Sequence, residues 1–208
     1  MSPSVFIIDD DHGVRRALAR LIGAAGYRVE VFVSAQAFLD ASIDMPNIPA
    51  CLVLDVMMPD LSGLELQRAL NDTHETLPII FITGHGDIPM TVSAMKAGAT
   101  DFLAKPVNDT ALLRAIGAAL ERSSHALASR SEFDSIQRRL DRLTPREREV
   151  MVLVVSGLLN KQVADELGTV EKTIKVHRAR VMEKMEAHSF AELVRLSDRA
   201  RIRSTTLN

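Results

Sequence analysis

Asp9, Asp10 and Asp11 stand in a row after the apolar run VFII, and Asp55 directly follows a second apolar run, CLVL. Thr83 closes the run IIFIT, and Lys105 follows DFLA. Clustered carboxylates repel one another and cannot all stay ionised without a counter-charge. If these positions converge, a hard dication resolves the conflict. Mg²⁺ takes oxygen ligands, keeps waters and often bridges carboxylates to phosphate. A carboxylate such as that of Asp55 can then attack a phosphoryl donor and form an aspartyl phosphate. The metal and Lys105 would neutralise charge on the group in transit, and Thr83 would offer a hydroxyl to its oxygens. A single Asp after a strand is ordinarily a turn or helix cap. It is the whole set at matched run ends that favours a site.

The elements that must position these groups are legible as an alternation. The runs at 5–8, 29–32, 51–54, 79–83 and 101–104 are strand-length and rich in β-branched or aromatic residues. Between them lie amphipathic stretches at 14–25, 35–42, 64–70, 88–97 and 108–121, the first with Val14, Leu18, Leu21 and Ile22 at helical spacing. This alternation predicts an α/β domain, a doubly wound, flavodoxin-like five-stranded parallel sheet over residues 1–121. In such a sheet the carboxyl ends of all strands share one edge. Strands one and three flank the switch point where these folds bind ligands.

After Leu120 no strand pattern recurs. Residues 122–142 read as a linker helix in which Phe133, Ile136, Leu140 and Leu143 form a short heptad seam. Two readings stand: pairing with a second copy, or packing on its own chain. Residues 143–208 read as an all-α four-helix domain, with helices near 145–156, 160–167, 171–185 and 189–200. Thr144-Pro145-Arg146-Glu147 carries the marks of a capping box with Pro at the first helical position. Gly157 and Gly168 mark the ends of the first two helices.

The net charge of −2 conceals an asymmetry. Residues 1–123 carry 9 Lys/Arg against 15 Asp/Glu, and residues 124–208 carry 16 against 12. The acidic front and basic back suggest different partners, with nucleic acid the candidate for the basic part. No apolar run approaches the roughly 18 residues needed to span a bilayer. The opening MSPSVFIIDDDH is not a signal-peptide pattern, and the single Cys51 excludes an internal disulfide. A cytoplasmic protein is expected.

The motifs IIDDDH, LDVMMPDLSG, FITGHGD and DFLAKP resemble the receiver domain of two-component response regulators over about residues 4–121. TGHGDIPMTVSAMKAGATDFL is similar to the FixJ-like branch. The resemblance implies Asp55 as phosphoacceptor for a sensor histidine kinase. It implies Mg²⁺ held by Asp10, Asp55 and the Met57 carbonyl, with Asp9 contributing directly or through water. Asp11 is expected to cap the first helix, and Lys105-Pro106 matches a step that is often cis in the family. Thr83 and Phe102 stand at the switch positions. Without a hydroxyl, Phe102 acts through ring burial or is plain core. His85 and Met57 lie where they could tune phosphate lifetime. Met90 and Met95 read as core or interface filler, and Cys51 as inert.

LTPREREVMVLVVSGLLNKQVADELGTVEKTIKVHRARVMEKM resembles the LuxR/NarL-type helix-turn-helix over about residues 143–200. Residues 160–167 become the scaffold helix and 171–185 the recognition helix. Ile174, Val181 and Met185 share one face of the latter, and Lys172, Lys175, Val176 and Ala179 the opposite one. A small apolar strip among cations suits a major groove. By analogy Lys175, Val176 and Ala179 read bases, and Lys161, Lys172, Thr173, Arg178 and Arg180 contact phosphates of double-stranded DNA. His177 is expected to pack. Val170 stands where the family has a Ser or Thr cap, a role Thr169 could take if the helix began earlier.

The chain therefore reads as a transcriptional regulator of the FixJ/NarL class that homodimerises on phosphorylation, with RNA polymerase a further candidate partner. One rival is an aspartate-nucleophile phosphatase, which needs a second Asp where Met57 stands. The others are a protein-binding adaptor and a regulator that does not use phosphate.

Overall fold

The computed structural model describes residues 2–41, 47–72, 77–84 and 88–202. The chain divides into two compact units, Met1–Ala128 and Ser129–Asn208. His85 and the end of the helix expected at 35–42 lie outside the described residues.

The first unit contains β1 (Ser4–Ile8), α1 (His12–Ala24), β2 (Arg28–Phe32), α2 (Ala35–Asp40), β3 (Ala50–Asp55), α3 (Gly63–Asp72), β4 (Ile79–Thr83), α4 (Ile88–Lys96) and β5 (Asp101–Ala104). The strands form one parallel sheet in the order β2-β1-β3-β4-β5. This is the expected flavodoxin-like topology. β1, β3 and β4 are buried throughout, because helices cover both faces.

The period-two alternation of a strand divides the core. Phe6, Ile8, Leu52, Leu54 and Phe81 point to one side and pack with Phe38, Leu66, Leu70 and Ala94. Val5, Ile7, Cys51, Val53, Ile80 and Ile82 point to the other and pack with Leu18, Ile22, Leu112 and Ile116. Cys51 is completely enclosed, and burial pushes its thiol pKa up to about 12, so it is an apolar filler.

Helix α5 spans Asp109–Asp141. The segments expected as a last receiver helix and a separate linker helix are thus one element. Within the first unit, the Ser123 hydroxyl accepts the Ala50 N–H at 3.0 Å, supplying a partner to the first residue of β3.

The second unit contains α6 (Pro145–Val155), α7 (Asn160–Glu166), α8 (Glu171–Lys184) and α9 (Phe190–Arg199). Of the heptad seam, Ile136, Leu140 and Leu143 are buried against Met151, Val181, Met185 and Leu193. Phe133 remains exposed. The seam packs on its own chain. A second cluster joins Val150, Val154, Val163, Ala164 and Ile174.

Thr144 caps α6 in the expected capping box. The Glu147 carboxylate also takes a hydrogen bond from Lys184 Nζ at 2.6 Å and from the Thr144 N–H at 2.9 Å. Lys184 first, then the Thr144 backbone, pull the Glu147 pKa down to about 2. Glu147 is buried, so losing its charge leaves the half-buried Lys184 ammonium short of its partner.

A group whose folded pKa is depressed stabilises the fold above its unfolded pKa, and that stability is lost as pH falls toward the folded value. Glu147→Gln is expected to destabilise the second unit by about 2–3 kcal/mol near neutral pH. The difference from wild type should hold down to pH 4.5 and shrink as pH falls from there toward about 2. Denaturant unfolding of both chains across pH 7 to 3.5 measures this; a difference that does not change with pH would contradict it.

Candidate functional site

The register of β1 against β3 pairs Ile8 with Leu54, so Asp9 and Asp55, one step further, stand abreast at the carboxyl edge. Asp9 is completely buried and Asp55 is 5% exposed, whereas Asp10 is exposed. Carboxylate oxygens of Asp9, Asp10 and Asp55 all lie within 4.8 Å of one another. Lys105, just past β5, reaches between two of them: its Nζ is 2.7 Å from Asp9 Oδ2 and 2.6 Å from Asp55 Oδ2. Thr83 is buried at the end of β4, and its carbonyl accepts the Lys105 N–H at 2.7 Å. Four strands thus deliver the predicted side chains to one edge.

Burial raises the Asp9 pKa above the ordinary carboxylate value, against the opposing pull of Lys105 and the Asp11 N–H. Burial works against the charged form of Lys105 as well, but the Asp55 and Asp9 carboxylates outweigh it and its pKa is raised. Three carboxylates against one ammonium leave two negative charges in an all-oxygen donor set. That suits a hard divalent cation.

Asp11 turns away from the cluster. It caps α1, accepting the Gly13 N–H at 2.6 Å and the Val14 N–H at 3.0 Å, and those bonds lower its pKa. Met57 is exposed, and its N–H donates to Asp55 Oδ1 at 3.1 Å. The Lys105-Pro106 bond is cis, as the resemblance implied. Phe102 is half-buried, with its ring 6.1 Å from that of Phe81. Met90 packs on the core, while Met95 is exposed.

Two contributors were not singled out from the sequence, although Gly63 closes the motif LDVMMPDLSG. Arg15 Nη1 donates to the Asp9 carbonyl at 2.6 Å and pins the main chain beside the cluster. Nothing in a basic residue on a helix announces this. Gly63 begins α3, and its N–H donates to the Val56 carbonyl at 3.0 Å. A Cβ there would collide with the Asp55 carbonyl oxygen and press on Leu54 and Phe81. Glycine is required because the helix start lies against the backbone of the Asp55 residue itself.

In the second unit, Ile174, Val181 and Met185 are buried as predicted. Lys172, Lys175, Val176, Ala179 and Arg180 are exposed on α8, Lys161 is exposed on α7, and Thr173 is half-buried. Val170 occupies the N-cap of α8 without a side-chain cap, so the helix does not begin early on Thr169. No side chain caps the first N–H groups of the helix. Lys175 pairs with Glu171 at 2.9 Å, an exposed pair of small worth that a polyanion can displace. His177 is half-buried, as expected of a packed histidine. Arg178, expected to contact phosphate, is half-buried, and its Nη1 also donates to Asn160 within the domain.

Two family models match this chain. Residues 5–117 match the response regulator receiver domain, and residues 141–197 match the bacterial regulatory proteins of the luxR family. The chain is a response regulator. It is 48% identical to nodulation protein W of Bradyrhizobium diazoefficiens over 194 residues, 93% of this chain and 85% of that protein. It is 46% identical to the transcriptional regulatory protein FixJ of Rhizobium meliloti, over 93% of this chain and 94% of that one. Its structure is similar to that of the response regulator StyR, with a TM-score of 0.85, 45% identity and coverage of 95% and 99% of the two chains. It is also similar to full-length FixJ from B. japonicum, with a TM-score of 0.57, 43% identity and coverage of 99% and 98%.

The regulator thus joins a receiver domain to a LuxR-type DNA-binding domain and acts in transcription. Among its described residues, no helix is long and apolar enough to cross a membrane.

Gly63→Ala is expected to destabilise the receiver by about 1–3 kcal/mol, the range for forcing atoms into a packed site. Gly23→Ala, in α1 with nothing within 4 Å of the added atom, should instead stabilise it by about 0.5–1 kcal/mol. Urea unfolding of the two variants checks the opposite signs; equal effects would deny the close approach at Asp55.

Proposed function

We propose that Asp55 is the phosphoacceptor, that a partner sensor histidine kinase supplies the phosphoryl group, and that the phosphorylated regulator dimerises and binds specific DNA. The observation that carries this reading is the Lys105 ammonium between the Asp9 and Asp55 carboxylates. An Asp55 oxygen attacks phosphorus, an O–P bond forms, and the bond from phosphorus to the donor imidazole breaks. The leaving imidazole takes up a proton. Asp9, Asp10, Asp55 and the Met57 carbonyl would hold Mg²⁺, which when bound neutralises charge on the phosphoryl oxygens. Lys105 exchanges its bond to Asp55 for one to a phosphoryl oxygen, and the Thr83 hydroxyl takes another. The protein promotes its own phosphorylation and does not turn over substrate.

The transfer replaces a charge pair at the sheet edge with a larger anion, which favours one of two receiver states. Thr83 and Phe102 are the residues that register the change. The exposed Ile88, Val92 and Met95 of α4 offer an apolar surface for pairing in that state, together with β5 and α5. Two copies then place two recognition helices on successive half-sites. Lys175, Val176 and Ala179 read base edges, and Lys161, Lys172, Thr173 and Arg180 hold phosphates. Residues 1–121 form the phosphoacceptor domain, 122–142 the linker helix and 143–208 the DNA-binding domain of a cytoplasmic activator that engages RNA polymerase.

Incubation with acetyl phosphate and Mg²⁺ is expected to add one phosphoryl group to wild type and none to Asp55→Asn, read by intact mass. Chelation of the metal should abolish the gain. An equal gain in the variant would remove Asp55 from this role. On the DNA side, Lys175→Ala is expected to weaken specific binding by about 1–3 kcal/mol while sparing binding to unrelated duplex. A titration of both duplexes measures it, and unchanged affinity for the specific duplex would refute the assignment.

A further inference from the structure

One cation in the middle of α8, like Lys184 at its end, is not free to swing in solvent. Arg178 is half-buried, whereas Lys172, Lys175 and Arg180 are exposed. Its Nη1 donates to Asn160 Oδ1 at 3.1 Å, and its guanidinium carbon lies 5.2 Å from the centroid of the Phe190 ring. Asn160 is the first residue of α7 and Phe190 the first of α9. One side chain therefore ties three helices at a single point. A guanidinium is planar, so a hydrogen bond in its plane together with an aromatic face beside it fixes orientation as well as position.

The placement on the helix matters. At 3.6 residues per turn, Arg178 falls at the margin of the buried stripe of Ile174, Val181 and Met185, between that stripe and Lys175. A helix held along one stripe resists lifting but can still roll about it. α8 also lacks a side-chain cap at Val170 to set its start. A contact at the margin of the stripe, braced against two other helices, opposes roll.

We infer that Arg178 is a positioning residue: with Asn160 and Phe190 it sets the roll of the recognition helix, so that Lys175, Val176 and Ala179 meet base edges in one register. The inference rests on the assignment of those three residues as base readers. Base contacts demand close geometry, while long lysine side chains can follow a phosphate through a small roll. Loss of the bracket therefore costs specificity, and leaves the electrostatic part of binding in place. A phosphate contact behaves in the opposite way, since each contributes about 0.9 to the slope of log affinity against log salt.

The experiment uses the full chain, wild type and variants. Each is titrated at several salt concentrations onto a duplex selected by wild type from a random pool and onto a scrambled duplex of equal length. The acetyl phosphate condition is the one in which wild type binds. Asn160→Ala and Phe190→Leu, which remove no charge, are expected to lower affinity for the selected duplex about fivefold or more. Affinity for the scrambled duplex and the salt slope should stay as in wild type, and Phe190→Tyr should bind normally. Arg178→Ala should lose preference in the same way. If Asn160→Ala and Phe190→Leu bind as wild type while Arg178→Ala weakens both duplexes equally and lowers the slope by about one, Arg178 is a phosphate contact and the inference fails. It fails also if lost preference follows a lower unfolding midpoint and Phe190→Tyr does not restore it, since that reports stability alone. A wild type that prefers no duplex sinks the base-reading assignment, and this inference with it.

Discussion

The receiver half depends on one electrostatic arrangement: two carboxylates buried side by side and an ammonium drawn between them. Asp9 and Asp55 lie abreast because β1 and β3 are parallel neighbours in register, and Lys105 reaches them from β5 across β4. Removing carboxylates from water is costly unless they are paired and hydrogen-bonded. The surrounding structure supplies those partners. The Asp11 N–H binds Asp9, the Met57 N–H binds Asp55, and Arg15 holds the Asp9 carbonyl. Gly63 lets α3 start hard against the Asp55 backbone, where no side chain would fit. Three carboxylates share this edge with one ammonium, an all-oxygen donor set that suits a hard dication.

The second unit meets a different constraint. Its recognition helix must show a polar face to solvent and still keep a defined attitude, with only a narrow apolar stripe for anchorage. Polar contacts make up the difference. Glu147, at the start of α6, grips Lys184 in the last turn of α8. Arg178 braces the middle of α8 against the starts of α7 and α9. Arg146 donates to the Leu167 carbonyl at 2.6 Å, satisfying the end of α7. Charged side chains here act as struts between helices, a use distinct from presentation to a partner.

Much of this was legible in the sequence. Strand-length apolar runs alternating with helical stretches specify the doubly wound sheet, because a parallel strand buried on both faces must be apolar throughout. The acids, threonine and lysine stood at run ends, and run ends of a parallel sheet share one edge. The capping box of α6 and the glycine ends of α6 and α7 follow from local backbone chemistry, which neighbouring residues alone determine. The buried and exposed faces of α8 likewise follow from helical period.

Tertiary structure decided what depends on residues far apart in the chain. The seam of Ile136, Leu140 and Leu143 reads equally as a dimer contact or an internal one, since periodicity gives a face and not its occupant; packing against Met151, Val181 and Leu193 chose the latter. The extent of α5 was hidden because the change of pattern after Leu120 is a change of surroundings, not a helix break. Arg178 reads from the sequence as a phosphate contact, and only the folded chain brings Asn160 and Phe190 against it. Arg15 and Gly63 matter to the pocket for the same reason. Local pattern settles which groups are available and on which face or edge each stands. The folded chain decided which of them touch, because contact distance is set by elements that local pattern does not relate.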